Sequence, residues 1–133
     1  ANIDILILNH GFNPKGLTDS NAINKALEIN SLSHWRLIQI FEDLSIKNNN
    51  LNTSSSKEIW INTSEAEIQI AFSPVYEITK RLIGELVSLK KSNLLMERRN
   101  SFLIKKLILG PFKSKQNPQG SQPSTASFRS SKL

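Results

Sequence analysis

The stretch SPVYEITKRLIGELVSLKKSNLLMERRNSFLIKKLILGP, residues 73–111, decides how the rest of the chain is read. Ser73 suits a helix N-cap, and Pro74 suits the first helical position, where a missing N–H costs nothing. Apolar residues then recur at helical spacing as far as Leu109. Gly110 can take the left-handed conformation that ends a helix, and Pro111 forbids continuation. The spacing therefore predicts one helix over 74–109, about 54 Å long at about 1.5 Å per residue. Gly84 and the Ser92-Asn93 pair are its weak points.

Along that helix Val75, Leu82, Leu89, Met96 and Leu103 form one heptad set. Thr79, Leu86, Asn93, Asn100 and Leu107 form the alternating set. This is a coiled-coil seam, in which a buried Asn trades stability for register, and a homodimer through helix 74–109 is the expectation. Ile78, Ile83, Leu94, Leu95, Phe102 and Ile104 lie outside the seam, so the helix should also pack on the folded region or break into two helices.

Upstream, residues 2–8 are β-branched and mostly apolar, with Ile3, Ile5 and Ile7 on one face and Asp4, Leu6 and Leu8 on the other. They read as a strand, broken by the Gly- and Pro-bearing segment 10–16. Thr18 or Asp19 can cap a helix through residue 29, and Ser33 a second one over 34–46. Residues 47–57 are polar and read as a mobile loop. Residues 58–62 and 66–72 alternate and read as a β-hairpin across 62–65. Residues 110–133 hold no acidic residue, six serines, three prolines and three glutamines, the composition of a disordered basic tail. The expected fold is α+β: a small acidic domain over 1–72, the basic helix 73–109 and the tail 110–133.

Charge divides at the same place. Residues 1–72 hold five Lys/Arg against eight Asp/Glu, and residues 73–133 twelve against three. One half thus attracts polyanions. The cationic doublets are Lys80-Arg81, Lys90-Lys91, Arg98-Arg99 and Lys105-Lys106, extended by Lys113 and Lys115 in the tail. Lys91, Arg98 and Lys105 make a seven-spaced row opposite the seam, a geometry able to track phosphates. The two predicted helices and the hairpin also have a winged-helix outline. In it Ser33, His34, Arg36 and Gln39 would face a nucleic-acid groove. Arg36 is the only base of that helix, and Glu42-Asp43 end it, which is the wrong charge for the task.

The chain has no cysteine, so disulfides and thiol chemistry are excluded. It shows no nucleophile elbow, phosphate-cradling glycine loop or metal-ligand spacing, and no catalytic residue, cofactor or metal is expected. Its longest clean apolar run, Ile5–Leu8, cannot span a bilayer. Ser131-Lys132-Leu133 matches a peroxisomal address if the cell is eukaryotic; otherwise a soluble intracellular protein is expected. The functional expectation is a non-catalytic protein that binds nucleic acid, DNA or RNA, through its basic helix and tail. The alternative is an adaptor subunit that docks the long helix on a protein complex. A third reading is an enzyme with His10, a loop residue behind a strand, near its site.

Overall fold

In a computed structural model, residues 3–49, 57–64, 73–97, 102–109 and 128–131 are described. The element order is β1 (Ile5–Leu8), α1 (Ser20–Leu27), a π-helical turn (Glu28–Leu32), α2 (Ser33–Asn49), β2 (Lys57–Ser64), α3 (Pro74–Met96), β3 (Phe102–Leu109) and β4 (Phe128–Ser131). The strands form one sheet in the order β1-β2-β3-β4. β1 runs parallel to β2 and β2 parallel to β3, while β4 is antiparallel to β3. Parallel neighbours need crossovers, and the helices supply them. The sequential β-α-β-α-β order is one half of a doubly wound parallel sheet.

The fold is mixed helix and strand, as expected, but its partition differs. The predicted 74–109 helix ends at Met96, and Phe102–Leu109 is a strand. The segment FLIKKLIL satisfies both periods. Phe102, Ile104 and Lys106 alternate inward, which a strand uses and a helix cannot. The heptad seam dissolves with it: Leu82, Leu89, Met96 and Leu103 are exposed, and α3 buries Val75, Thr79, Lys80, Ile83, Gly84, Val87 and Leu94 instead.

The hairpin is also replaced. β2 takes its partners from residues 5–8 on one side and 102–109 on the other. Alternation of Ile59 and Ile61 reports a strand with one core face, but not the direction of its neighbours. The expected second hairpin strand, 66–72, lies outside the described residues. Four tail residues form β4, and the rest of the tail lies outside them too. The break expected at 30–33 is a π-helical turn joining α1 to α2. With that continuity, and with β2 central in a parallel sheet, the winged-helix outline disappears.

Asp19 is the N-cap of α1, accepting from the N–H groups of Asn21 and Ala22 at 3.0 and 3.1 Å. Ser73 occupies the N-cap position of α3, yet its hydroxyl accepts from the Gly16 N–H instead of the first turn. Ile59 and Ile61 of β2 lie at the centre of the core with Leu8, Phe102 and Ile104 from the flanking strands. Ile38 and Phe41 of α2 and Ile83, Val87 and Leu94 of α3 cover them. Phe41 meets Phe102 edge-to-face at 6.0 Å. No helix among the described residues is long and apolar enough to cross a membrane.

Candidate active site at the carboxyl ends of the strands

Because β1, β2 and β3 are parallel, Leu8, Ser64 and Leu109 end them on the same edge of the sheet. In open parallel sheets the crevice beyond this edge is where ligands bind. Four side chains from three elements converge there.

Ser64 is the last residue of β2, and Tyr76 lies in the first turn of α3. The Tyr76 phenol is hydrogen-bonded with the Ser64 side chain. Burial holds its pKa above the ordinary tyrosine value, and the Ser64 bond offsets part of that rise. One turn on, Lys80 is 4 % exposed, with Nζ 5.8 Å from the centre of the Tyr76 ring. Burial alone drives its ammonium down to about 8. A lysine with that value still carries its charge at neutral pH, though with little to spare.

The π-helical turn supplies the fourth group. Widening the helix by one residue turns Asn30 and Ser31 onto α3, and such bulges recur at functional sites. Asn30 is fully buried and every polar atom of its amide is used. Nδ2 donates to Phe12 O at 2.8 Å and Thr79 Oγ1 at 2.9 Å, while Oδ1 accepts from Phe12 N at 2.7 Å. Ser31 Oγ donates to Thr79 O at 2.7 Å. These bonds pin the α3 turn that carries Lys80 to the 10–12 loop.

A buried phenol held by a hydroxyl, with an ammonium behind it, is suited to moving a proton. Desolvation keeps the phenol protonated at rest, and the lysine charge stabilises the phenolate formed when the proton leaves.

The residues singled out from the sequence are dispersed. Ser33 and His34, expected to face a groove, turn inward. His34 is fully buried and stacks on His10 at 3.9 Å, and Ser33 Oγ lies 2.7 Å from His10 Nε2. Arg36 is exposed and pairs with Glu28. Gln39 faces a surface hollow of about 450 Å³ lined by Arg36, Ile40, Glu42 and Asp43.

The described cations of the doublets are divided between α3 and β3. Arg81 pairs with Glu77 at 2.7 Å, and Lys90 with Glu42. Lys91 is half-buried, and burial and then the Lys106 charge lower its pKa. Lys105 is on a strand, 2.9 Å from Glu58 and 5.0 Å from the centre of the Trp60 ring. Lys106 is buried beneath α3. Arg98, Arg99, Lys113 and Lys115 lie outside the described residues. With Lys105 on β3, the row Lys91, Arg98, Lys105 is not a helix face.

Sequence reasoning missed Ser64, Tyr76 and Asn30, and took Lys80 for a surface cation. One signal was available. The chain's single tyrosine precedes a lysine by one helical turn, and that lysine falls beside Thr79, Ile83 and Gly84 on the face α3 buries.

No family model matches the chain. It is 47 % identical over 120 residues to a monoglucosyldiacylglycerol epimerase of Synechocystis sp., a match covering 90 % of this chain. The chain spans 27 % of that relative's length. Among solved structures it resembles 4-hydroxyisoleucine dehydrogenase complexed with NADH and succinate. The TM-score is 0.60 and the identity 14 %, over 74 % of this chain and 41 % of that one, a likeness of fold. These likenesses overturn the expectation of a non-catalytic nucleic-acid-binding protein or adaptor. Charge asymmetry suggested a polyanion surface only because the burial and pairing of the cations are invisible in sequence. The chain is similar, over most of its length, to part of an epimerase.

Proposed function

We propose that this chain carries the proton-transfer site of a sugar epimerase acting on a glucosyl lipid, the substrate class in its relative's name. The observation that carries the reading is the Ser64, Tyr76 and Lys80 arrangement at the carboxyl ends of parallel strands. A glucosyl headgroup has no carbonyl beside its hydroxyl-bearing carbons, so direct removal of a carbon-bound proton is not open to it. Loss of hydride from such a carbon and of the proton from its hydroxyl gives a flat carbonyl. Return of both, with hydride to the opposite face, inverts the centre without net oxidation.

A nicotinamide dinucleotide supplies the hydride chemistry in such a reaction when bound. Gly11, Gly16, Gly84, Gly110 and Gly120 make no Gly-x-Gly-x-x-Gly pattern that could hold its pyrophosphate.

The chain's own side chains have defined tasks. Tyr76 Oη takes the hydroxyl proton in the first half-reaction and returns it in the second. Lys80 stabilises the intervening phenolate, and does so only while charged, below about 8. Ser64 orients the phenol and offers its hydroxyl to the sugar oxygen. Tyr76→Phe in the full-length protein, assayed on glucosyldiacylglycerol, is expected to lose ~10²–10⁴ of the rate with the fold intact. Epimerised lipid formed at the unmodified rate would overturn the reading.

A further inference from the structure

The segment leaving β1, residues 9–12, is anchored at two points. At one end Asn30 grips both backbone groups of Phe12. At the other, His10 stacks on His34 with the rings 18° from parallel, and its Nε2 meets Ser33 Oγ. The Ser33 hydroxyl donates to Ile29 O at 2.9 Å, so it accepts from His10, and Nε2 of His10 carries the proton. His34 Nδ1 donates to the same Ile29 carbonyl at 3.1 Å.

Between these anchors lies Gly11. A Cβ there would stand 3.3 Å from Lys80 Nζ, 3.5 Å from Asn30 Oδ1 and 3.6 Å from Lys80 Cε. The Gly11 backbone is thus the roof over the ammonium.

We propose that His10 is a positioning residue: its stack on His34 and its bond to Ser33 hold Gly11 over Lys80, keeping water from the ammonium behind Tyr76. The burial that drives Lys80 down to about 8 is in part this roof. The titratable groups around it are His10 of the loop, His34 of α2 and Tyr76 of α3, with Lys25 of α1 lying 4.6 Å from the centre of the Phe12 ring. Burial and then the Lys80 charge lower the His10 pKa, so the stack is neutral at physiological pH. The consequence for catalysis rests on the function proposed above, but the placement of Lys80 does not.

The test therefore reads the lysine itself. Lysine labelled with ¹³C at Cε is titrated by NMR in the folded protein, with Lys80→Arg assigning the resonance. In His10→Ala the Lys80 midpoint is expected to move upward toward the ordinary lysine value. In His10→Phe, which keeps a stacking ring and loses the Ser33 bond, it should fall between the two. If lipid is turned over, the alkaline limb of kcat/KM should move in the same direction in His10→Ala. An unchanged midpoint in both His10 variants would overturn the proposal, whatever Tyr76→Phe does to activity. Should His10→Ala not fold, His10→Phe decides alone.

Discussion

Two basic doublets, Lys80-Arg81 on α3 and Lys105-Lys106 on β3, look alike in sequence and meet the same division of labour. In each, one member is buried and the other pairs with an acid: Arg81 with Glu77, Lys105 with Glu58. The buried members differ in their surroundings. Lys106 points under α3, with Nζ 3.4 Å from Gly84 O and from Ser88 Oγ, and ties the strand to the helix. Lys80 lies behind a buried phenol at the carboxyl edge of the sheet, and burial drives its pKa to about 8. A buried lysine is therefore not in itself a site. What it faces decides whether its charge holds the fold or serves a reaction.

The largest expected effect separates the two. Lys80→Met should cost ~10²–10³ in kcat, about 3–4 kcal/mol of transition-state stabilisation, while raising the melting temperature by removing a desolvated charge. If Lys106→Met lost activity to the same degree, the contrast would collapse.

Next in size is the acid response of the Lys80 side. His34, fully buried with Nε2 lacking a hydrogen-bond partner, has its pKa lowered to about 4 by burial, then by His10 and Lys80. The unfolded chain binds that proton near 6.5, so stability present above 6.5 is lost as pH falls through 4. The loss amounts to about 3 kcal/mol. Urea melts between pH 7 and 4 should show it, and His34→Phe should flatten the curve. An unchanged slope would mean that the imidazole gains a proton at no cost.

Ser64→Ala is the third test, expected to lower kcat by roughly tenfold through a less well-held phenol. A steady-state assay that found only KM altered would assign Ser64 to substrate binding. The smallest effect belongs to Lys106→Met, where the long contacts to Gly84 O and Ser88 Oγ are among those lost and stability should change by about 1 kcal/mol. Chemical denaturation measures it, and a loss of several kcal/mol would show that Lys106 anchors β3 more strongly than its distances suggest.

Much of the local structure was legible before these contacts were known. The strand at Ile5–Leu8, the helix capped by Asp19 and the one begun at Ser73-Pro74 were marked by caps and periodicity, whereas Ser33, read as a cap, lies within a continuous helical run and donates to Ile29 O. Phe102–Leu109 was not, because its apolar residues fit a helix as well as a strand; the unpaired edge of β2 settles which. Of the site, only the Tyr76-to-Lys80 spacing is local enough to read. Asn30 reaches Thr79, beside Lys80, through the π-helical turn, and Ser64 reaches Tyr76 through the parallel crossover, and neither has a sequence signature as short as a motif. His10 was singled out as a loop residue behind a strand, and it stands on His34 beside Lys80.

By itself the sequence determined where helices start, which residues alternate and how charge divides at Ser73-Pro74, because caps, periods and composition act over a few residues. Tertiary structure alone decided that Phe102–Leu109 is a strand, that Lys80 is buried and Lys105 paired, and that Ser64, Tyr76, Lys80 and Asn30 meet. Strand pairing and desolvation are made by neighbours distant in the chain, and they set Lys80 behind Tyr76 and Lys106 beneath α3.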